Sequence, residues 1–335
     1  MTPRDTGDAV PLDEVAALTQ RLAVLLSAGV SPVSAWGYLL PEPVSPLQHS
    51  GDPTSAPAHE AARNPPAQRI IRAAAQAGVT GESIADAVAA HARELGGQAG
   101  AAWLGLAAAW EVATTAGAPL AGCLRELAAT FRQLGQLHRD LQVALAGPRA
   151  TARLVMALPL GGLLVGALLG FNAVHMLFLT VPGWLCLASS GALMVLAHRW
   201  SRRLVRVAGA ADASPGLVLD LMAIAMAGGG SLSRARVIVQ QATERFGIHS
   251  TAGSGGDALE AVLRLAERAG VPTAELLRSE ARQLRREARN MGQRRAEALA
   301  VTLMLPLGVC VLPAFMLVGV VPLVLSILSS TLRSL

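Results

Sequence analysis

The sequence predicts an all-α membrane protein, with two homologous cytoplasmic helical-bundle domains and about three transmembrane helices. Three observations predict this class. No Asp, Glu, Lys or Arg occurs from Leu154 to Ala197 or from Leu299 to Leu332, and about 20 apolar residues suffice to span a bilayer. Between those runs the apolar residues recur with a helical period. The chain also repeats itself: AGAPLAGCLR at 116–125 and AGVPTAELLR at 269–278 agree at six of ten positions, and LPLG follows each, at 158–161 and 305–308.

In chain order, 1–10 is an N-terminal tail. MTPRDTGDAV offers neither a basic n-region nor an apolar h-region, so no cleaved signal peptide is expected and the N-terminus is placed in the cytoplasm. The first cytoplasmic helical domain covers 11–148. Val15, Leu18, Leu22, Leu25 and Leu26 line one face of a helix over 11–28. Gly29 is suited to end that helix, and Ser31–Pro32 supply an N-cap and a first-turn proline for the next one. The Pro-, Ser- and Ala-rich stretch 41–68 reads as a disordered insertion. Helical patterning resumes over 69–77, 82–95, 98–115 and about 119–145.

Residues 149–198 hold two expected spans, near 152–170 and 176–197, with an external turn at Gly170–Asn172. Arg149 and Arg153 precede them and Arg199, Arg202, Arg203 and Arg206 follow, which places both flanks in the cytoplasm by the positive-inside rule. The second helical domain, 199–298, contains two helices within 216–247, a link at 247–257 with Asp257 as the next N-cap, and helices at 258–268 and 272–298. A last span and tail occupy 299–335. The favoured arrangement is one crossing from about 299 to 322 with the C-terminus outside; a hairpin returning Arg333 to the cytoplasm is the alternative.

The repeat extends beyond the decapeptides, since RLAVLLSAGVSPVSA at 21–35 aligns with LMAIAMAGGGSLSRA at 221–235. Gly117 and Gly270 suit a left-handed helix terminus, and Pro119 and Pro272 suit the first turn of the next helix. These four residues are a structural turn rather than a catalytic loop. The distance from Ala116 to Pro159 is 43 residues, against 37 from Ala269 to Pro306. The Gly-Pro of AGPRAT at 146–151 predicts that the first long helix stops before the membrane, whereas the second continues into it.

The chemistry that the chain lacks is equally informative. All 28 basic residues are arginine, so no phosphate-loop, Schiff-base or kinase lysine exists. The glycine clusters at 227–231 and 253–257 fit no nucleotide-binding fingerprint. The seven histidines and three cysteines are dispersed, without the spacing of a zinc site. No catalytic, cofactor-binding or metal-binding residue is expected, and the chain is read as not an enzyme. Aromatics make up 3% of the chain and do not interleave with the arginines, so nucleic acid is not an expected partner.

Residues 265–322, LAERAGVPTAELLRSEARQLRREARNMGQRRAEALAVTLMLPLGVCVLPAFMLVGVVP, resemble the closing domain and last span of the F-type inner-membrane platform proteins of type II secretion, type IV pili and tight-adherence (Tad) pili. The C-type members of the Tad systems are the most similar. The order of helical domain, two spans, helical domain and one span extends the resemblance over nearly the full length. The first domain departs from the family: its 41–68 insertion is unusual, and the acidic Gly-Glu that many members carry before the first turn is absent, Glu111 being followed by VATTAGAP. The resemblance implies a non-enzymatic scaffold in the inner membrane, associated as a homo- or hetero-oligomer. Its implied partners are a cytoplasmic secretion ATPase, pilin or pseudopilin subunits, a second platform protein and the lipid bilayer.

Arg278, Arg282, Arg285 and Arg289 step by three or four and share one face of the last cytoplasmic helix. That face is either a solvated surface or a docking surface for anionic lipid or an acidic partner such as the ATPase. A small transporter or channel component is the alternative function, but it calls for polar residues at mid-membrane, and the spans offer little beyond Asn172 and Thr180.

Overall fold

A computed structural model describes residues 12–40, 65–168, 181–209, 215–248 and 254–317, with single positions at 321 and 324. Every regular element among the described residues is helical. The chain forms two compact units: residues 1–138 with 212–288, and residues 139–211 with 289–335. The two helical blocks that the sequence separates therefore both contribute to the first unit.

The first block opens with α1 (Leu12–Ser27) and α2 (Pro32–Gly37). Ser31 caps α2 by accepting the Ser34 N–H, and Pro32 occupies the first turn, as the Ser-Pro pair predicts. Next come α3 (Pro66–Thr80), α4 (Ile84–Leu95) and α5 (Gly97–Ala116). Most of the insertion read at 41–68 lies outside the described residues, but its last residues, from Pro66, already form the start of α3.

The second block begins with α8 (Leu217–Ala227) and α9 (Leu232–Phe246), and it repeats the opening of the first. Ser231 caps α9 by accepting the Arg234 N–H. Gly229 at φ 76° matches Gly29 at φ 88°. The alignment of 21–35 with 221–235 thus corresponds to one local geometry built twice. It continues through α10 (Ser254–Ala269) to α11 (Thr273–Thr302). Asp257 lies inside α10, not at its cap, because the helix starts three residues earlier. A glycine costs a helix only about 1 kcal/mol, so Gly255 and Gly256 do not bar it.

α5 organises the first unit. Residues 105–110 are six consecutive buried positions, and at 100° per residue they point in all directions. A helix apolar all round must be enclosed, and α5 is enclosed by α1 and α4 from its own block and by α8 and α9 from the other. Its glycines and alanines allow close packing. A Cβ on Gly105 would lie 3.2 Å from Leu217 Cδ2, and one on Gly228 would lie 2.0 Å from the Ala116 carbonyl oxygen. Trp103, Leu106, Phe131, Leu219, Met222 and Phe246 share one continuous core.

The expected stop at Gly147–Pro148 is not observed. α6 runs unbroken from Leu120 to Leu168, 49 residues. Proline removes one backbone hydrogen bond and costs about 3 kcal/mol, which bends a helix without ending it when long helical stretches on both sides outweigh that cost. Its counterpart runs helically from Thr273 to Phe315, 43 residues, through α11, the short α12 (Met304–Pro306), a π-helical turn at Leu307–Val311 and α13 (Leu312–Phe315). The six additional residues of the first repeat thus lie within continuous helix, not at a break.

Of the described residues, only the helical stretch Thr273–Phe315 is long and apolar enough to cross a membrane. In the second unit it packs on α7 (Val181–Gly209). Ser190 Oγ donates to the Ala314 carbonyl at 3.3 Å, and Ala197 is buried with Cys310 and Val311. The outer turn at Gly170–Asn172 and most of the tail beyond Met316 lie outside the described residues.

The contact between Gly228 and Ala116 is testable by adding one methyl group. Gly228→Ala should lower stability by about 1–3 kcal/mol or more through overpacking, seen as a lower thermal midpoint in detergent. Gly122→Ala, where a Cβ meets nothing within 4 Å, should be neutral or slightly stabilising. Equal midpoints for the two variants would refute the close packing of the blocks.

Candidate functional site

The four turn residues occupy equivalent places in the two halves. Gly117 is left-handed at φ 71°, and the Ala118 N–H donates back to the Ala113 carbonyl at 2.9 Å. Gly270 is left-handed at φ 63°, with its N–H on the Ala266 carbonyl at 2.9 Å. Pro119 and Pro272 each stand one position before the helix that follows, so their carbonyls accept its first N–H groups: Gly122 and Cys123 on Pro119, Glu275 and Leu276 on Pro272. The proline is tolerated there because its missing N–H would have had no helical partner.

The candidate arginine face on α11 proves to be largely occupied within the protein. Arg278 Nε lies 2.7 Å from Glu126 Oε2 on α6, and its Nη1 lies 3.4 Å from Glu275. Arg285 is 8% exposed and donates from Nη1 to Asp220 Oδ2 on α8 at 2.7 Å. Its Nε donates to Gln133 Oε1 on α6 at 3.2 Å. Thr130 Oγ1 completes the cluster by donating to Asp220 at 3.4 Å. In the second unit Arg289 pairs with Asp140 at 2.7 Å. Arg282 is exposed and donates to the Arg278 carbonyl, leaving it the most available of the four for a partner.

A shared face was legible from spacing; its direction was not. A solvated arginine face and one turned toward α6 and α8 give the same period. Asp220 was not singled out by the sequence reading, although one signal was present: it is the sole charged residue in α8, LVLDLMAIAMA. Burial pushes its carboxyl above the ordinary range, and the Arg285 guanidinium pulls the other way.

Sequence reasoning also missed a cleft of about 390 Å³ lined by Pro32, Glu82, Ser83, Trp110, Glu111 and Arg245, among others. Arg245 of α9 reaches into the first block and pairs with Asp86 and, at 3.2 Å, with Glu111. The Arg245 carbonyl accepts from Arg93 Nη2. Glu111 therefore helps to join the two blocks. Half-exposed pairs of this kind contribute at most about 1 kcal/mol each.

Among the described residues no group of three or more His, Cys, Asp or Glu could hold a metal ion. Burial, reinforced by Glu126, pushes the Cys123 thiol up to about 11, so it stays protonated and poorly nucleophilic at neutral pH. The site is thus a set of helix contacts: buried where α6, α8 and α11 meet, exposed at Arg282. No protein-family model, curated protein or solved structure matches the chain.

The buried pair makes a pH-dependent prediction. Arg285→Met should cost about 3–5 kcal/mol near neutral pH, because it leaves the Asp220 charge buried and unpaired. With its folded pKa raised, Asp220 contributes stability that is present below the unfolded carboxylate value and lost as pH rises through the folded value. Without Arg285 that window extends upward, so the deficit should shrink on acidification, and Asp220→Asn should rescue much of it at neutral pH. Denaturation curves at several pH values measure this; a deficit independent of both pH and Asp220 would count against the pair.

Proposed function

We propose that this chain is an inner-membrane assembly-platform protein of a type II secretion, type IV pilus or Tad-like machine, coupling a cytoplasmic secretion ATPase to the assembly of pilin or pseudopilin subunits. The observation that carries this reading is the internal repeat. Each half builds the same capped helix pair, the same glycine-proline turn and then a long helix of 49 or 43 residues leading into an apolar run. The resemblance of 265–322 to the Tad C-type platform proteins supplies the functional class.

In this reading the first unit lies in the cytoplasm and the chain crosses the membrane three times, near 152–170, 176–197 and 299–322. Uncovered apolar side chains support this placement of the helices. Trp184, Leu185, Val195 and Leu196 on α7, and Val301, Met304, Leu305, Val309 and Leu312 on the last helical stretch, are all more than half exposed. Contiguous apolar surface of this kind calls for lipid or protein cover. The protein acts by position rather than by bond chemistry. A rigid two-block unit meets the motor, and the long helices carry displacement toward the membrane, where pilin is drawn out.

Two experiments test the proposal. Single cysteines at Ser50, Ala173, Ala252 and Ser334, in a chain lacking the native three, should label from outside only at 173 and 334; labelling of 252 from outside would exclude the topology. Deleting the gene should abolish the surface filament or secreted substrate and leave pilin in the inner membrane, with recovery on re-expression. Normal filaments in the deletion strain would reject the function.

A further inference from the structure

The whole-chain net charge of +5 conceals two opposite parts. The second unit contains eleven arginines against two carboxylates, Asp140 and Glu297, whereas the first contains seventeen arginines against twenty-one carboxylates. Asp140 is already held by Arg289 at 2.7 Å. The second unit is therefore strongly cationic, with almost no internal counter-charge.

Part of the surplus lies on the outward-facing side of α7. Ser190, Met194, Ala197 and Ser201 form the packed stripe of α7: Ser190 and Ser201 are buried, and Met194 packs on the cluster of Ala197 with Cys310 and Val311. At about 100° per residue, Leu185, Leu196, Arg199 and Arg203 fall on the opposite side. That outer side changes from exposed leucine to exposed arginine within one turn, between Leu196 and Arg199. Trp200 stands at the change, 39% exposed, as indole rings do at a membrane–water boundary. Arg294 and Arg295 of α11, in the same unit, are also exposed, just before the apolar stretch that begins near Leu299. Among the described residues, Arg199, Arg202, Arg203, Arg294 and Arg295 hold no ion pair, unlike Arg278, Arg285 and Arg289.

We propose that these exposed arginines of the second unit, Arg199, Arg202 and Arg203 with Trp200 on α7 and Arg294 and Arg295 on α11, bind the phosphate headgroups of anionic phospholipids in the leaflet that faces the cytoplasm. The inference rests on the membrane placement given under Proposed function. Guanidinium groups suit the occupant because their donor forks match phosphate oxygens in pairs. An apolar helix face running directly into the arginines provides for acyl chain and headgroup on one continuous surface. An anionic leaflet attracts basic residues at a membrane edge in just this way. A surface that served only to orient the chain during insertion needs positive charge but no lipid selectivity once folded.

The test uses the full-length chain in nanodiscs of equimolar phosphatidylcholine and phosphatidylglycerol, then extraction into mild detergent and mass spectrometry of the retained lipid. Phosphatidylglycerol should be retained in clear excess over phosphatidylcholine, and R199Q/R203Q should reduce that excess roughly tenfold or more. R199K/R203K, which keeps the charge, should retain much of it. R264Q/R268Q, altering exposed arginines of the first unit, should leave it unchanged. If R199Q/R203Q loses helicity by circular dichroism, single R203Q and R294Q variants replace it, each expected to give a partial loss. Retention of the two lipids in proportion to their supply would overturn the proposal while leaving the membrane reading intact, and so would equal losses from the α7 and control pairs. A chain that fails to enter nanodiscs of any composition would overturn both.

Discussion

The first unit depends on the enclosure of the middle of α5. Six successive buried positions leave that part of the helix no solvent face, so one helical block cannot satisfy it. α1 and α4 cover part of the surface, and α8 and α9 of the other block cover the rest. The small residues of GQAGAAWLGLAAAWEVATTA make this possible by letting neighbouring backbones approach; a methyl group on Gly228 would collide with the Ala116 backbone, and one on Gly105 would crowd Leu217. The large core side chains, Trp103 and Leu106 on α5 and Phe131 and Met222 on its neighbours, then fill the space between. The hydrophobic requirement of a single helix thereby joins two repeats far apart in the chain.

Polar contacts determine how the long helices attach to that core. Hydrophobic burial is non-directional, and by itself it would allow α11 to slide along α6 and α8. The buried Asp220–Arg285 pair, with Gln133 and Thr130, restricts the allowed register. Its desolvation is costly, so its value lies in specifying position more than in adding stability. Arg278 with Glu126 and Arg289 with Asp140 add anchors at other points of the same helix. Four arginines that look like one exposed stripe in sequence therefore divide into three ties between helices and one exposed residue bonded within its own helix.

Most helices were legible because their signals are local. The Ser31 cap, the Gly117 and Gly270 turns and the period of α1 each involve residues within a few positions of one another. The misread points share a different cause. Pro148 and the Gly255–Gly256 pair are local breakers overridden by the helices around them, and the strength of that override cannot be read within a short window. The shared face of the arginines on α11 follows from their spacing, but the acceptors Asp220 and Asp140 lie 65 and 149 residues away along the chain, and Glu126 lies farther still. Periodicity carries no information about such partners. Arg245 and its cleft were missed for the same reason.

The sequence by itself determined the helical class, the apolar stretches, the repeat with its two glycine-proline turns, and the absence of lysine chemistry, because each is a property of composition or short spacing. Only the tertiary structure decided that the two repeats share one core, that α6 continues through Pro148, and that Arg285 turns inward while Arg282 stays outside. Those outcomes depend on which surfaces meet, and that is fixed by packing and charge pairing between residues distant in the chain.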